Sequence, residues 1–543
     1  MAHRSHPTKT EDLGEARARF PHLNEYLADI VADMGEPTWV LKLDKSMRTK
    51  NPNILYPVGD PIFIHVFRKE GEHTQYNVIE PLLTPALKKL HDTIVDRMVE
   101  HAHKYPVPIK IEDAGDIIKK IFEEVVAVGE AGSLSLFGSD KMVLSQEQYD
   151  QIWYFIYRNR VGYGKLEPLF YDPYLEDIHC TGIGRVKTIH KIFEMVHSNI
   201  IFDDDLELNK YILDASERVE RPVSDAHSVV DAIMPDGSRV NFIYGRELSL
   251  EGSSFTIRKF SEVPVSITQI VHWKTMSAEL AAYIWLCLEH GMNIFVCGET
   301  ASGKTTTLNA TAAFIKPDDK IYSVENTPEV TMPHDTWQHL VTREAGKSTD
   351  VTIFDLLIAA LRSRPNYIIV GEIRGAEGNV AFQAMQTGHP VMSTFHAGNP
   401  HTMIQRLTGH PINVPIASID NLNVILIQQA VSQGGHFVRR VLSITEIERY
   451  YDAEKKVITR EVFAWDPVND VHRFRGLYNS YILEKKIAAI LGYEDTRQIY
   501  KELDTRTRII EKMVENEIYD YFEVWKVLKR FHEEGLRGLP FAI

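Results

Sequence analysis

Cysteine, long apolar runs and an excess of basic charge are what this chain lacks. Three cysteines among 543 residues, Cys180, Cys287 and Cys297, are too few and too scattered for a disulfide framework or a four-cysteine zinc site. Each lies in an apolar or strand-like context, so they read as small buried hydrophobes of a reduced compartment. The longest apolar runs, such as Ala281 to Leu288 and Tyr367 to Gly371, fall well short of the ~20 residues a bilayer-crossing helix needs. The opening MAHRSHPTKTEDLGEARARF is polar and has no apolar segment of the secretory kind. The expectation is a cytoplasmic protein that reaches the inner face of a membrane through partners. Lys and Arg number 60 against 75 Asp and Glu, a net charge of -15, which disfavours a nucleic-acid backbone as partner. The run Asp203-Asp204-Asp205 reads as a solvated turn rather than a metal site.

What is present is an ordinary globular composition, 44% apolar and 25% charged, in a chain long enough for at least two cores. Residues 1–50 have weak periodicity and many charges, which predicts a mobile N-terminal arm. From there to residue 262, strand-like runs (PIFIHVF, QYNVI) mix with amphipathic helix, an α+β domain. The segment Ser261-Glu262-Val263-Pro264-Val265 breaks the pattern, and a hinge or linker is expected over 263–275. Beyond it, residues 276–543 alternate strands and helices, as a mostly parallel sheet covered on both faces requires. From about 481 to 543 only helical stripes remain, a C-terminal annex whose apolar faces are expected to pack on the core.

The chemistry gathers in that second half. Gly298, Glu299, Thr300, Ala301, Ser302, Gly303, Lys304 and Thr305, with Thr306 following, fit the pattern G-x-x-x-x-G-K-[ST] directly after an apolar strand and at the start of a helix. Glycines let backbone N–H groups wrap a polyphosphate, Lys304 reaches the terminal phosphates of ATP, and the Thr305 hydroxyl can ligate Mg²⁺. An acid is needed at the end of a neighbouring strand, and Glu372 stands there, after Tyr367 to Val370. Glu325 and Glu329 follow another strand, about twenty residues after the loop. One of the two would activate water and the other support it, and spacing leaves open which. His396 ends the polar strand Ser393-Thr394-Phe395 and by itself would read as structural.

Taken together, GETASGKT, VENTPE, VGEIRG and STFHAG, in this order, resemble the secretion ATPase superfamily of type II and type IV secretion and type IV pili. YGKLEPLFYDPYLEDIH and QRLTGHPINVPIASIDNLNVILIQQAV extend the resemblance over roughly residues 150 to 440. SSFTIRKF, NPNILYPVGDPIFIHVF and YEDTRQIYKELDTRTRIIEKMV are most similar to the archaeal branch, and within it to the archaellum motor ATPases; archaeal pilus-assembly and type II secretion ATPases are the nearest alternative. The resemblance implies a RecA-like P-loop ATPase domain with a helical annex, preceded by an α+β domain. It also implies a homohexamer that works with a polytopic membrane platform protein of the archaellum or pilus and with other cytoplasmic motor components. By position, Glu329 corresponds to the catalytic base, Glu325 to its support, Glu372 to the Walker B acid and metal-site partner of Thr305, and His396 to the link between γ-phosphate and subunit interface. Arg239 and Arg258 correspond to N-domain arginines that approach ATP, with Arg246 a weaker candidate; whether they act within a subunit or across an interface stays open. The usual acidic second position of the VENTPE box is Asn326 here, which places a metal-ligating role at that position in doubt.

Overall fold

The computed structural model describes residues 12–44, 47–106, 111–129, 141–260, 263–343, 349–433 and 436–543. The chain divides into two compact units, residues 1–261 and 262–543; the first eleven residues of the expected arm, and residues 261–262 just before the expected linker, lie outside the described set.

The first unit opens with α1 (Leu13–Arg19) and α2 (Pro21–Met34), then β1 (Thr38–Trp39), β2 (Asn53–Gly59), β3 (Ile62–Phe67) and β4 (Gln75–Ile79). A helical insertion follows, α3 (Pro85–Ala102) and α4 (Ile111–Val125), the short parallel pair β5 (Val126–Val128) and β6 (Met142–Leu144), and α5 (Gln146–Arg160). It has its own small core of Ile94, Met98, Phe122, Ile152 and Ile156. Then come α6 (Glu167–Tyr171), β7 (Leu175–Cys180), β8 (Gly184–His190), β9 (Glu194–Phe202), α7 (Asp205–Arg218), β10 (Val229–Ile233), β11 (Arg239–Ile243) and β12 (Ser254–Arg258). Ten strands form one sheet in the order β1-β2-β3-β4-β9-β8-β7-β12-β11-β10. The acidic run is a turn: Asp204 caps α7 by accepting from the Glu207 N–H at 2.8 Å.

The expected N-terminal arm is, from residue 12 onward, structure instead. Successive residues of β3 point to opposite faces, and both faces are apolar: Ile62, Ile64 and Val66 join one core while Phe63 joins another with Leu55 and Ile79. A strand apolar on both sides needs a second cover, and Ala16, Leu23 and Leu27 of α1 and α2 supply it. Pro21 at the first helical position and Gly35 at φ +77° bracket α2. Leu23→Ala and Leu27→Ala are each expected to cost about 2–5 kcal/mol. Denaturant unfolding of the full chain checks this as an earlier first transition, and an unchanged profile would return the segment to an arm.

The second unit runs through α8 (Ile267–His272), α9 (Ala278–Glu289), β13 (Ile294–Gly298), α10 (Lys304–Ala312), β14 (Ile321–Glu325), β15 (Trp337–Val341), α11 (Ile353–Arg362), β16 (Tyr367–Ile373), α12 (Glu377–Gln386), β17 (Val391–Phe395) and α13 (Pro400–Thr408). Four strands follow, β18 (Val424–Gln433), β19 (His436–Tyr451), β20 (Lys456–Asp466) and β21 (Val471–Phe474), and then α14 (Ala488–Ile490), entered through a π-helical turn, α15 (Ile499–Glu515) and α16 (Tyr521–Glu534). The sheet order is β15-β14-β16-β17-β13-β18-β19-β20-β21, parallel as far as β18 and antiparallel beyond. This is a RecA-like α/β core. β13, β14 and β17 are buried along their whole length, so both sheet faces are covered. Phe295 and Cys297 face α11, α12 and α13, while Ile294 and Val296 face α9, α10 and the annex helices α15 and α16.

Two expectations change here. The linker predicted over 263–275 is largely part of the second unit: Ile267 and Ile270 of α8 are buried in its core, and Ser266 and Thr268 hydroxyls donate to the Tyr519 and Ile518 carbonyls, both at 2.7 Å. The sheet also continues antiparallel from β18 through β21, and β18 to β20 carry no clear alternation in the sequence, because register shifts at Ile427/Gln428, Ile444/Thr445 and Ile447/Arg449 reset which side chains face inward.

Candidate active site

The phosphate loop follows β13, the strand at the centre of the parallel sheet, and ends at the N-terminus of α10, where unpaired N–H groups favour an anion. Its two glycines are fixed by space and by backbone. A Cβ on Gly298 would lie 2.2 Å from the Gln428 carbonyl oxygen, and one on Gly303, at φ +90°, would lie 2.9 Å from Gln428 Nε2. The loop is held by its own chain and by β18. Ser302 Oγ donates to the Glu299 carbonyl at 2.8 Å, Gln428 Nε2 donates to the Ser302 carbonyl at 2.9 Å, and Thr307 Oγ1 donates to Gln428 Oε1 at 2.6 Å. Arg439 Nε adds a bond to the Ala301 carbonyl at 3.2 Å. Gln428 and Arg439 escaped the sequence reading; the signal available was a Gln-Gln pair interrupting the apolar run NVILI.

Glu329 sits in the loop after β14, part-exposed, and its backbone is gripped from two sides. Glu325, 2% exposed, accepts from the Glu329 and Val330 N–H groups at 3.0 and 2.9 Å with one carboxylate oxygen, and its other oxygen lies 2.6 Å from His339 Nε2. From α10, Asn309 Nδ2 donates to the Glu329 carbonyl at 2.8 Å, and Asn309 Oδ1 accepts from the Thr331 N–H at 3.3 Å. The two acids therefore differ in kind: Glu325 is spent on shaping the loop, whereas the Glu329 carboxylate is not consumed by that scaffold. Asn326 is exposed and accepts from the Thr342 hydroxyl at 3.3 Å.

Glu372 lies beyond a bulge in β16 at Gly371, whose carbonyl accepts from Thr394 Oγ1 at 2.6 Å. A Cβ on Gly371 would come within 3.0 Å of Glu325 Cγ, so the glycine lets the two acidic strands approach. The Glu372 carboxylate pairs with the Arg374 guanidinium, and that hydrogen bond raises the Arg374 pKa further. Burial lowers the Lys304 pKa, opposed first by the negative charge of Glu372 and more weakly by Glu329; Lys304 Nζ donates to the Glu299 carbonyl at 2.9 Å. Lys304, Glu372 and Glu329 thus share one electrostatic neighbourhood at the carboxyl ends of adjacent strands, the usual ligand edge of such a sheet. His396 follows β17, its carbonyl held by the Arg406 guanidinium. A Cβ on Gly398 would lie 3.7 Å from Glu299 Oε1, so the loop after His396 runs beside the phosphate loop.

Residues 163–523 match the family described as "Type II/IV secretion system protein". The chain belongs to that family. "Uncharacterized protein MJ0900" of Methanocaldococcus jannaschii is 52% identical, covering 98% of this chain and 98% of its own. "Type IV secretion system protein PtlH" of Bordetella pertussis is 32% identical over 30% of this chain and 52% of its own. Among solved structures, the Legionella pneumophila ATPase DotB is 16% identical over 67% of this chain and 94% of its own, at a TM-score of 0.39.

The remaining site candidates of this secretion-family chain belong to its first unit. Arg239 and Arg258 are direct cross-strand partners in β11 and β12, both exposed. Like charges directly opposite one another repel, and the nearest acid offered to Arg258, Asp177, stands 3.7 Å away. The next residue is an anchor: Lys259 Nζ donates to the Leu169 and Phe170 carbonyls at 2.8 and 3.0 Å, fixing the strand end that carries Arg258. Arg246 is differently placed, ion-paired with Asp205 at 2.8 Å and donating to the Leu250 carbonyl at 3.2 Å. Its role in this unit is to tie a loop to the start of α7. All three cysteines are buried and free, and among the described residues no helix is long and apolar enough to cross a membrane.

Proposed function

We propose that this protein is an ATP hydrolase whose cycle drives an archaellum through a membrane platform protein, working as a homohexamer. The observation that carries the ATPase reading is the convergence of Lys304, Glu372 and Glu329 on one preshaped phosphate loop. Lys304 and the α10 N-terminus bind the polyphosphate. Glu329 takes a proton from the attacking water, and Glu325 holds its loop in place. His396 would link the γ-phosphate to the subunit interface, the role its place in STFHAG implies. Among the described residues no cluster of three or more His, Cys, Asp or Glu could hold a metal by itself. A magnesium ion would be held by the Thr305 hydroxyl, Glu372 and phosphate oxygens, a donor set that suits this hard, water-retaining cation. It would supply charge neutralisation of the phosphates. Arg239 and Arg258, the exposed arginines of the first unit, would add positive charge to the γ-phosphate.

The archaellum assignment rests on the archaeal-type wording of SSFTIRKF and YEDTRQIYKELDTRTRIIEKMV, and pilus assembly is its rival. Deleting the gene in its own cell is expected to abolish swimming and leave pili intact. Lost pili with retained swimming would replace the archaellum by the pilus. Purified protein is expected to turn over ATP without stimulation by DNA, in keeping with its net charge of -15; strong DNA stimulation would favour a nucleic-acid translocase instead.

A further inference from the structure

The C-terminal annex reaches the acid loop through one hydroxyl. Tyr521, the first residue of α16, is 1% exposed, and its phenol oxygen lies 3.2 Å from the Asn309 carbonyl and 3.3 Å from the Thr331 carbonyl. Asn309 belongs to the last turn of α10, where carbonyls have no partner within the helix. Thr331 lies two residues beyond Glu329. These are the same two segments that the Asn309 side chain joins. A phenylalanine would fill this volume without burying a polar atom, and a buried hydroxyl is costly unless it is hydrogen-bonded. Burial pushes the Tyr521 phenol far above its ordinary value, so it remains a proton donor at any physiological pH.

The tyrosine is itself rigidly mounted. Asp520 caps α16 by accepting from the Phe522 and Glu523 N–H groups, both at 3.0 Å. The preceding turn is clamped from α8 by the Ser266 and Thr268 hydroxyls, which donate to the Tyr519 and Ile518 carbonyls.

We propose that Tyr521 is a positioning residue for Glu329: its hydroxyl ties the acid loop to the phosphate-loop helix and so fixes the aim of the carboxylate at the phosphate loop. This rests on the reading of Glu329 as the base. The annex is then part of the catalytic unit, and the turn 518–520 is the point through which helix α8 steadies the active site.

Steady-state ATP turnover and fluorescent-nucleotide affinity of the full-length protein test the proposal. Tyr521→Phe is expected to lower kcat about five- to ten-fold, with KM and nucleotide affinity unchanged. In a Glu329→Gln background the same change is expected to cause no further loss, because the group it aims is already gone. Ser266→Ala, which loosens the turn from its far side, is expected to lower kcat in the same direction. Wild-type kcat in both Tyr521→Phe and Ser266→Ala, with Glu329→Gln slow, overturns the positioning role and leaves the base assignment standing. An equal loss from Tyr521→Phe with and without Glu329 assigns the effect to general loosening and also overturns it. Wild-type turnover in Glu329→Gln removes the base assignment, and the positioning role with it.

Discussion

Lys304→Ala is expected to abolish ATP hydrolysis, and Glu329→Gln to slow it by at least ~10²-fold while nucleotide still binds. The lysine supplies the one positive side-chain charge of the phosphate loop, so no other loop residue can replace it. The glutamine change is informative because the scaffold does not use the Glu329 side chain. Glu325 grips the N–H groups of Glu329 and Val330, and Asn309 grips the Glu329 carbonyl, so the loop keeps its shape when the carboxylate becomes an amide. Only the proton acceptor is lost. Glu325→Gln is different in kind: one amide oxygen can still accept from the two N–H groups, but the buried charge is lost and an NH2 replaces the oxygen facing His339, so it is expected to lower stability together with activity. Phosphate release measured beside fluorescent-ATP titration and thermal unfolding separates the two. Normal turnover in Glu329→Gln, with a well-folded but inactive Glu325→Gln protein, would reverse the assignment of base and support.

Arg258→Ala is expected to bind ATP almost normally and hydrolyse it slowly, by up to the ~10³- to 10⁵-fold that an arginine at the γ-phosphate contributes in other nucleotide hydrolases. The motivation is the placement of Arg239 opposite Arg258 on adjacent strands, two exposed guanidinium groups with an acid no nearer to Arg258 than 3.7 Å. Such a pair is unfavourable for the sheet alone, and a planar charged fork suits phosphate oxygens. Arg246→Ala provides the contrast. Its guanidinium is already engaged with Asp205 and the Leu250 carbonyl, so the change is expected to affect the first unit's stability more than turnover. Mixing Arg258→Ala with Lys304→Ala protein distinguishes action within a subunit from action across an interface, since recovered turnover requires the two defects to complement. Unchanged turnover in Arg258→Ala alone would return the residue to an exposed strand-edge charge.

The parts of this molecule that were legible in the sequence are those whose physics is local. The phosphate loop is one: glycines at Gly298 and Gly303, the lysine and the threonine must be adjacent in the chain to build a strand, a turn and a helix N-terminus. The parallel strands are another, because β13 and the first four residues of β16 are buried and read as continuous apolar runs bounded by turns. The apolar stripes of the annex follow from spacing alone.

What the tertiary structure decided depends on residues far apart in the chain. Spacing left Glu325 and Glu329 as equivalent candidates; their different duties follow from His339 and Asn309, which arrive from a neighbouring strand and from the phosphate-loop helix. Gln428 fastens the loop only because β18 lies beside β13, a pairing across 130 residues between Ile294 and Val424. Charge and weak periodicity made residues 1–50 look like an arm, yet α2 is needed to cover the second apolar face of β3. The strands β19 and β20 stayed hidden because the register shifts in their pairings break the alternation by which a strand is recognised, and only the hydrogen-bonded register restores it.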